Sequence, residues 1–211
     1  MAGMASGLAP FPLGQTYYNG ATPPTTYTDT TVSLEGMVRT FENRSPGAPI
    51  TIRHGGQIEC VLVRNTSGVA LLPSQAVIWQ SGYSGQRVDG LVCTTAGEVA
   101  GIVDDSLPAT GVPDDDLFWL MRRGKVLALT SREADASSTI ATRANLVART
   151  AATSQCTTAG RLQITQIVQA TSTAIGSVIE DNITNRVGKA VSARASTQTS
   201  TTILIDLNLS N

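Results

Sequence analysis

From Thr31 onward the chain breaks into short apolar runs, each bounded by Gly, Pro, Asn, Asp or Ser: Val32–Phe41, Gln57–Arg64, Ala76–Gln80, Leu91–Thr94, Glu98–Val103, Leu117–Met121, Lys125–Leu129, Asn145–Arg149, Leu162–Gln169, Ala174–Ile179, Gly188–Arg194 and Thr202–Leu209. Most run for about four to nine residues between turn signals, the spacing an all-β barrel or sandwich produces. The last run alternates most cleanly: Ile203, Ile205, Leu207 and Leu209 share one face, and Leu204, Asp206 and Asn208 the other. It is predicted to be a barrel-closing strand. Helical signal is confined to Ser131–Leu146, where alanines mix with Arg and Glu; Ser137, Ser138, Thr139 and Thr142 weaken it, and the stretch is expected to be a loop. The 28 threonines fit exposed strand faces, because a β-branched side chain suits the pleat without burial.

Turn chemistry supports these strands. Asn65-Thr66-Ser67-Gly68 is predicted to be a hairpin connection with Gly68 at positive φ, and Ser45-Pro46-Gly47-Ala48-Pro49 ends the first strand. Residues 1–31 differ: Gly3, Gly7, Pro10, Pro12, Gly14, Gly20, Pro23 and Pro24 interrupt them, and their apolar residues show no period. The expectation is an extended N-terminal arm ahead of a β-barrel domain over residues 32–211. Phe11, Leu13, Tyr17, Tyr18 and Tyr27 make that arm stickier than a solvated linker, so it is expected to fold onto a neighbour, against the alternative of a loose tail.

The barrel domain carries an internal echo. Cys-Thr-Thr-Ala-Gly occurs at Cys93–Gly97 and again at Cys156–Gly160. A Gly-Lys pair follows each copy at nearly the same distance, Gly124-Lys125 and Gly188-Lys189, and these are the only two lysines. Val61-Leu62-Val63 precedes the first copy much as Val126-Leu127-Ala128 precedes the second. One unit used twice, over about residues 61–124 and 126–188, predicts two similar halves with equivalent turns at the pentapeptides.

Composition excludes some partners. Fifteen basic and 16 acidic residues leave a net charge of −1, with no basic block for nucleic acid. No segment has the length of a membrane span, and the N-terminus lacks the basic start and apolar run of a signal peptide. Cys60, Cys93 and Cys156 have no zinc or redox spacing; they are expected to be buried thiols, with a Cys93–Cys156 disulfide as the sharper alternative.

Candidate chemistry is sparse. Asp114, Asp115 and Asp116, with Asp104 and Asp105 upstream, offer oxygens for a hard cation but lack a calcium-loop frame, so a solvated loop is the expectation. His54 is the sole histidine, flanked by Gly55 and Gly56, and is expected at a loop or strand end. Neither Gly-Lys pair has the upstream glycine and hydroxyl of a phosphate loop, and no Gly-x-Ser-x-Gly elbow occurs. No catalytic residue, cofactor or metal site is therefore expected, and an enzyme on a trimeric β-barrel, such as a nucleotide hydrolase, is the weakest function class. Leu117-Phe118-Trp119-Leu120-Met121 puts bulk on both faces of a strand, one being core and the other either a subunit interface or a second core layer. The candidate interface residues are Phe11, Tyr17, Tyr18, Tyr27, Phe118, Trp119 and Arg122.

Ala96-Gly97-Glu98-Val99-Ala100-Gly101-Ile102-Val103, followed by a polar loop, Leu117-Phe118-Trp119-Leu120 and Gly124-Lys125-Val126, resembles the β-barrel decoration, or cement, proteins of tailed bacteriophages. Ile175-Gly176-Ser177-Val178-Ile179-Glu180, Gly188-Lys189-Ala190-Val191 and a final hydrophobic strand are similar to how such proteins end, so the likeness spans roughly Gln57–Leu209. It implies a virion structural protein, made in the host cytoplasm. Such a protein binds the capsid exterior where major capsid protein subunits meet, commonly as a homotrimer, and stiffens the shell. The long arm departs from the smallest members. The alternative is a head-fibre base or glycan-binding adhesin module, with Trp79 and Tyr83 in the loop Trp79–Arg87 as the exposed rings.

Overall fold

The computed structural model describes residues 13–16, 35–44, 52–92, 94, 97–131, 142–148, 159–164, 186–193 and 200–209. These residues form an all-β fold of ten strands: β1 (Val38–Arg44), β2 (Ile52–Asn65), β3 (Ala76–Trp79), β4 (Arg87–Leu91), β5 (Val99–Val103), β6 (Leu117–Ser131), β7 (Asn145–Val147), β8 (Gln163–Ile164), β9 (Arg186–Ala190) and β10 (Ser200–Asn208). All lie in one mixed sheet ordered β1-β2-β4-β3-β5-β6-β10-β9-β7-β8, and β2 also pairs with β6.

That extra pairing closes a ring. β2 meets β6 antiparallel from Ile58↔Gly124 to Arg64↔Leu117, while its far end runs parallel to β4 at Arg64↔Arg87 and Asn65↔Val88. β4, β3 and β5 complete the circuit back to β6. The barrel is thus closed by β2 on β6, not by the C-terminal strand. β10 lies between β6 and β9 instead, and its alternation is as expected, with Ile203, Ile205 and Leu207 buried while Thr202, Asp206 and Asn208 are exposed. Beyond β10 the sheet continues through β9, β7 and β8. It bends back to β6 where Leu162 bridges Thr130 in parallel, so β6 is common to two curved halves.

Two buried clusters follow from this curvature. All five ring strands contribute to one, through Val61, Val77, Trp79, Val88, Ala100 and Phe118 among others, which makes it the ring interior. The other takes the opposite faces of β2, β3, β5 and β6, including Cys60, Ile78, Ile102, Trp119 and Met121, together with Leu146, Val187, Ile203 and Ile205 of the second half. Strands covered on both faces lose the apolar/polar alternation and become continuous apolar runs, as β3, β5 and the start of β6 are.

Several strand boundaries differ from the pattern. The runs at Leu117–Met121 and Lys125–Leu129 are one strand of 15 residues, because Arg123 and Gly124 stay paired on both sides and Arg122 is taken up in a bulge against β2. Gly124-Lys125 is accordingly inside a strand and not between strands. Gly124 has φ +112°, and a Cβ there would lie 2.7 Å from the carbonyl oxygen of Gln57, so the position admits only glycine. β4 lacks an apolar run because Asp89 and Gly90 interrupt it, and only Leu91 of the expected strand Leu91–Thr94 belongs to it. The first strand begins at Val38, and β2 extends upstream to Ile52, placing His54 near a strand end. Ala174–Ile179 lies outside the described residues.

The two Gly-Lys pairs meet across β10. Gly124 and Gly188 both face Leu207, and Lys125 and Lys189 both face Asp206. Opposite charges on directly paired residues favour this register. Gly160 of the second pentapeptide donates its N–H to the Val92 carbonyl (2.9 Å), beside the start of the first. Cys93 and Cys156 lie outside the described residues. Cys60 is a buried thiol whose pKa is pushed well above the usual value by burial and then by the nearby Asp104, Asp105 and Glu59 carboxylates.

Candidate interaction surface

The loop between β5 and β6 is held by side chains placed on strand ends. Asn65, the last residue of β2, is fully buried. Its Nδ2 donates to the carbonyls of Val69 (2.8 Å), Val112 (3.1 Å) and Pro113 (3.0 Å), and its Oδ1 accepts from the N–H and hydroxyl of Ser67. One amide thereby ties the 66–70 turn to the 112–113 segment and leaves no polar atom of its own unpaired.

The aspartates do similar work, which corrects the expectation of a solvated acidic loop for Asp104, Asp105 and Asp116 and leaves it standing for Asp114 and Asp115. Asp104 is 0% exposed; its Oδ1 accepts from the Ser106 N–H (2.9 Å) and its Oδ2 from the Gly14 N–H (2.5 Å). Burial raises its pKa to about 6, against the lowering effect of those two N–H groups. Asp105 accepts from the Leu127 N–H (2.8 Å), and Asp114 from the Gly68 N–H (2.8 Å). Asp116 is buried as well; desolvation raises its pKa while a hydrogen bond from Thr16 lowers it. Only Asp114 and Asp115 are exposed. Among the described residues no group of three or more His, Cys, Asp or Glu is placed to hold a metal ion.

A second feature lies where β1 crosses β2 beside the middle of β6. Glu35, just ahead of β1, is buried and bridges two arginines, Arg64 at 2.7 Å and Arg87 at 2.9 Å. The hydrogen bond to Glu35 raises the Arg87 pKa further, and the Arg87 guanidinium lies 4.3 Å over the Tyr83 ring. This staple fixes the start of β1 against the β3–β4 turn. Between them opens a groove of about 390 Å³, with apolar walls from Val38, Val61 and Leu209 and charged groups from Glu59, Arg122 and Arg123. Val38 is 63% exposed, and Met37, the residue before it, and Tyr83, two residues before the groove-lining Gly85, are exposed as well. Arg122 stacks 5.3 Å over Trp79, and burial lowers its pKa.

The sequence-derived interface residues scatter on this map. Arg122 reaches the groove. Phe118 and Trp119 are both fully buried, Phe118 inside the ring and Trp119 edge-on to Phe41 at 4.9 Å, so the bulky run packs as two core layers and its aromatics do not meet a subunit interface. Trp79, expected to be an exposed ring, is 4% exposed in β3. Its strand lacks polar punctuation because both faces are covered. Phe11, Tyr17, Tyr18 and Tyr27 lie outside the described residues. Met37 and Val38 read in sequence as part of an ordinary apolar strand start; only the fold leaves that start uncovered. Compared with family models, curated proteins and solved structures, the chain matches none.

Proposed function

We propose that this protein is a virion structural component of a tailed bacteriophage, bound to the capsid exterior as a decoration protein that stabilises contacts between major capsid protein subunits, as a homotrimer. The observation that carries this reading is the groove beside β1, where exposed Val38 lines the same cavity as Arg122 and Arg123 on a doubly packed β scaffold, with exposed Met37 and Tyr83 one and two residues along the chain from its lining. Exposed apolar side chains rimmed by arginine suit a protein partner, since Arg and aromatic residues are enriched where interfaces gain most energy. The buried aspartates support it too: Asp104 and Asp105 accept backbone N–H groups and Asp116 a hydroxyl, so they tie the β5–β6 loop to distant parts of the chain and make the surface rigid. The resemblance in sequence to decoration proteins supplies the partner and the location.

A glycan platform needs an open ring face. Trp79 is buried and Arg87 covers a face of Tyr83, so the groove favours a protein partner over the adhesin reading.

The test is co-sedimentation with mature capsids built from the major capsid protein of the same phage, paired with capsid melting. The wild-type chain is expected to co-sediment and raise the capsid melting temperature. The double substitution Met37→Glu and Val38→Glu is expected to abolish both effects while shifting the chain's own stability by only about 0.5 kcal/mol or less, as exposed sites allow. Absence of wild-type binding, or equal binding by the double variant, overturns the proposal.

A further inference from the structure

Residues 13–16 occupy a socket on the body of the chain, held in the way a short peptide ligand is held. The Gly14 N–H donates to Asp104, which lies 90 residues away and is fully buried. Thr16 hydrogen-bonds the buried Asp116, and Leu13 packs against the larger core cluster. Gly14 has φ +84°, and a Cβ there would stand 3.0 Å from the Ser106 carbonyl oxygen, so the site selects glycine by conformation and by space. Among the described residues, the groups shown against the segment's Gly14 and Thr16 come from the β5–β6 loop, through Asp104, Ser106 and Asp116.

Residues 17–34 connect the segment to Glu35, the next described residue, which pairs with Arg64 and Arg87. Eighteen residues span up to about 60 Å when extended. A chain of this size has a radius of gyration of about 17 Å. The same Leu-Gly-x-Thr contacts are therefore within reach of a neighbouring molecule. They consist of one charge-assisted hydrogen bond, one hydroxyl contact and one leucine, a small set that is identical whether made within a chain or between chains. Within a chain the tether supplies an effective concentration in the millimolar range; between chains, exchange competes when molecules are crowded together.

We infer that the Asp104–Ser106–Asp116 socket is a peptide-recognition site filled by residues 13–16 of a second copy of this chain, so that copies link by exchanging this segment. The inference concerns this chain alone and does not depend on the capsid reading. Its failure would leave capsid binding through the groove untouched.

Two full-length variants separate the halves of the contact. Gly14→Val spoils the segment and keeps the socket; Asp104→Asn spoils the socket and keeps the segment. By sedimentation velocity neither variant alone is expected to form segment-linked species, and the mixture is expected to form a complex larger than either variant alone, because its one good segment meets its one good socket with no competition from the tethered copy. Wild-type self-association is expected to weaken about tenfold or more in Gly14→Val, corresponding to about 1.4 kcal/mol or more. A mixture that sediments no faster than the separate variants up to about 100 µM, well below the effective concentrations of tethered segments, overturns the inference. Should Asp104→Asn fail to fold by circular dichroism, a synthetic peptide of residues 11–18 titrated onto full-length Gly14→Val replaces it. Saturable binding supports the socket, and no binding overturns it.

Discussion

Replacing Asp104 by Asn is expected to remove a pH dependence of folding that the wild-type chain carries between about pH 4 and pH 6. The carboxyl is 0% exposed, and its pKa is raised from 3.8 to about 6, first by burial. The folded state thus holds this proton more tightly than the unfolded state does. Stability from this group is fully present below about pH 4, falls as pH rises, and is lost above about pH 6. The gap between 3.8 and about 6 amounts to about 3 kcal/mol. Asn carries no such titration. It also offers one carbonyl oxygen to the two N–H donors of Gly14 and Ser106, so one donor faces an amide NH2 at a pH-independent cost of about 1–3 kcal/mol. Wild type is therefore expected to be clearly the more stable near pH 4, and the two chains are expected to converge towards pH 7.5. Urea unfolding followed by the fluorescence of buried Trp79 and Trp119 measures this, and the difference between the chains isolates Asp104 from Asp116 and Asp89, whose pKa values burial also raises. A difference that stays constant within about 0.5 kcal/mol across this range would refute the argument.

Three further substitutions address the fold. Gly188→Ala is expected to cost roughly 1–3 kcal/mol, a fall of several degrees in melting temperature, because its Cβ would run into the carbonyl of Asp206 on β10; calorimetry showing no fall would mean the β9–β10 approach is looser than described. Asn65→Ala leaves the carbonyls of Val69, Val112 and Pro113 without their shared donor and is expected to cost about 2–4 kcal/mol in denaturant unfolding. Trp119→Ala opens a cavity beside Phe41 and is expected to cost about 3–5 kcal/mol while leaving the sedimentation coefficient unchanged; a change in oligomeric state would restore Trp119 as an interface residue.

How much of this was legible in the chain depends on the range of the interaction. β10 was readable nearly to the residue, because one face is core and the other is exposed, and the alternation records that. Gly68 takes φ +73° for the local reason the chain suggests, but Asn65-Thr66-Ser67-Gly68 is not a hairpin connection: β2 pairs with β4 and β6 and not with β3, and that choice of partner is not local. The candidate surface was mostly hidden. Trp79 looked available because nothing local says that β3 is covered on both faces. Asp104, Asp105 and Asp116 looked like a wet acidic loop because their partners, Gly14, Leu127 and Thr16, lie far along the chain.

By itself the sequence determined the strand-rich class, the turns between strands and the alternation of β10, because side-chain period and backbone freedom are set within a few neighbouring residues. Tertiary structure alone decided that β6 runs unbroken through Arg122-Arg123-Gly124, that β2 closes the ring, and that the two Gly-Lys pairs face one another across Asp206 and Leu207. It also decided which apolar residues remain outside: Trp119 and Val38 are both apolar strand residues, yet one is sealed by two layers of sheet and the other borders a groove. Burial depends on what distant segments cover, and that is settled only when the sheet curves back on itself.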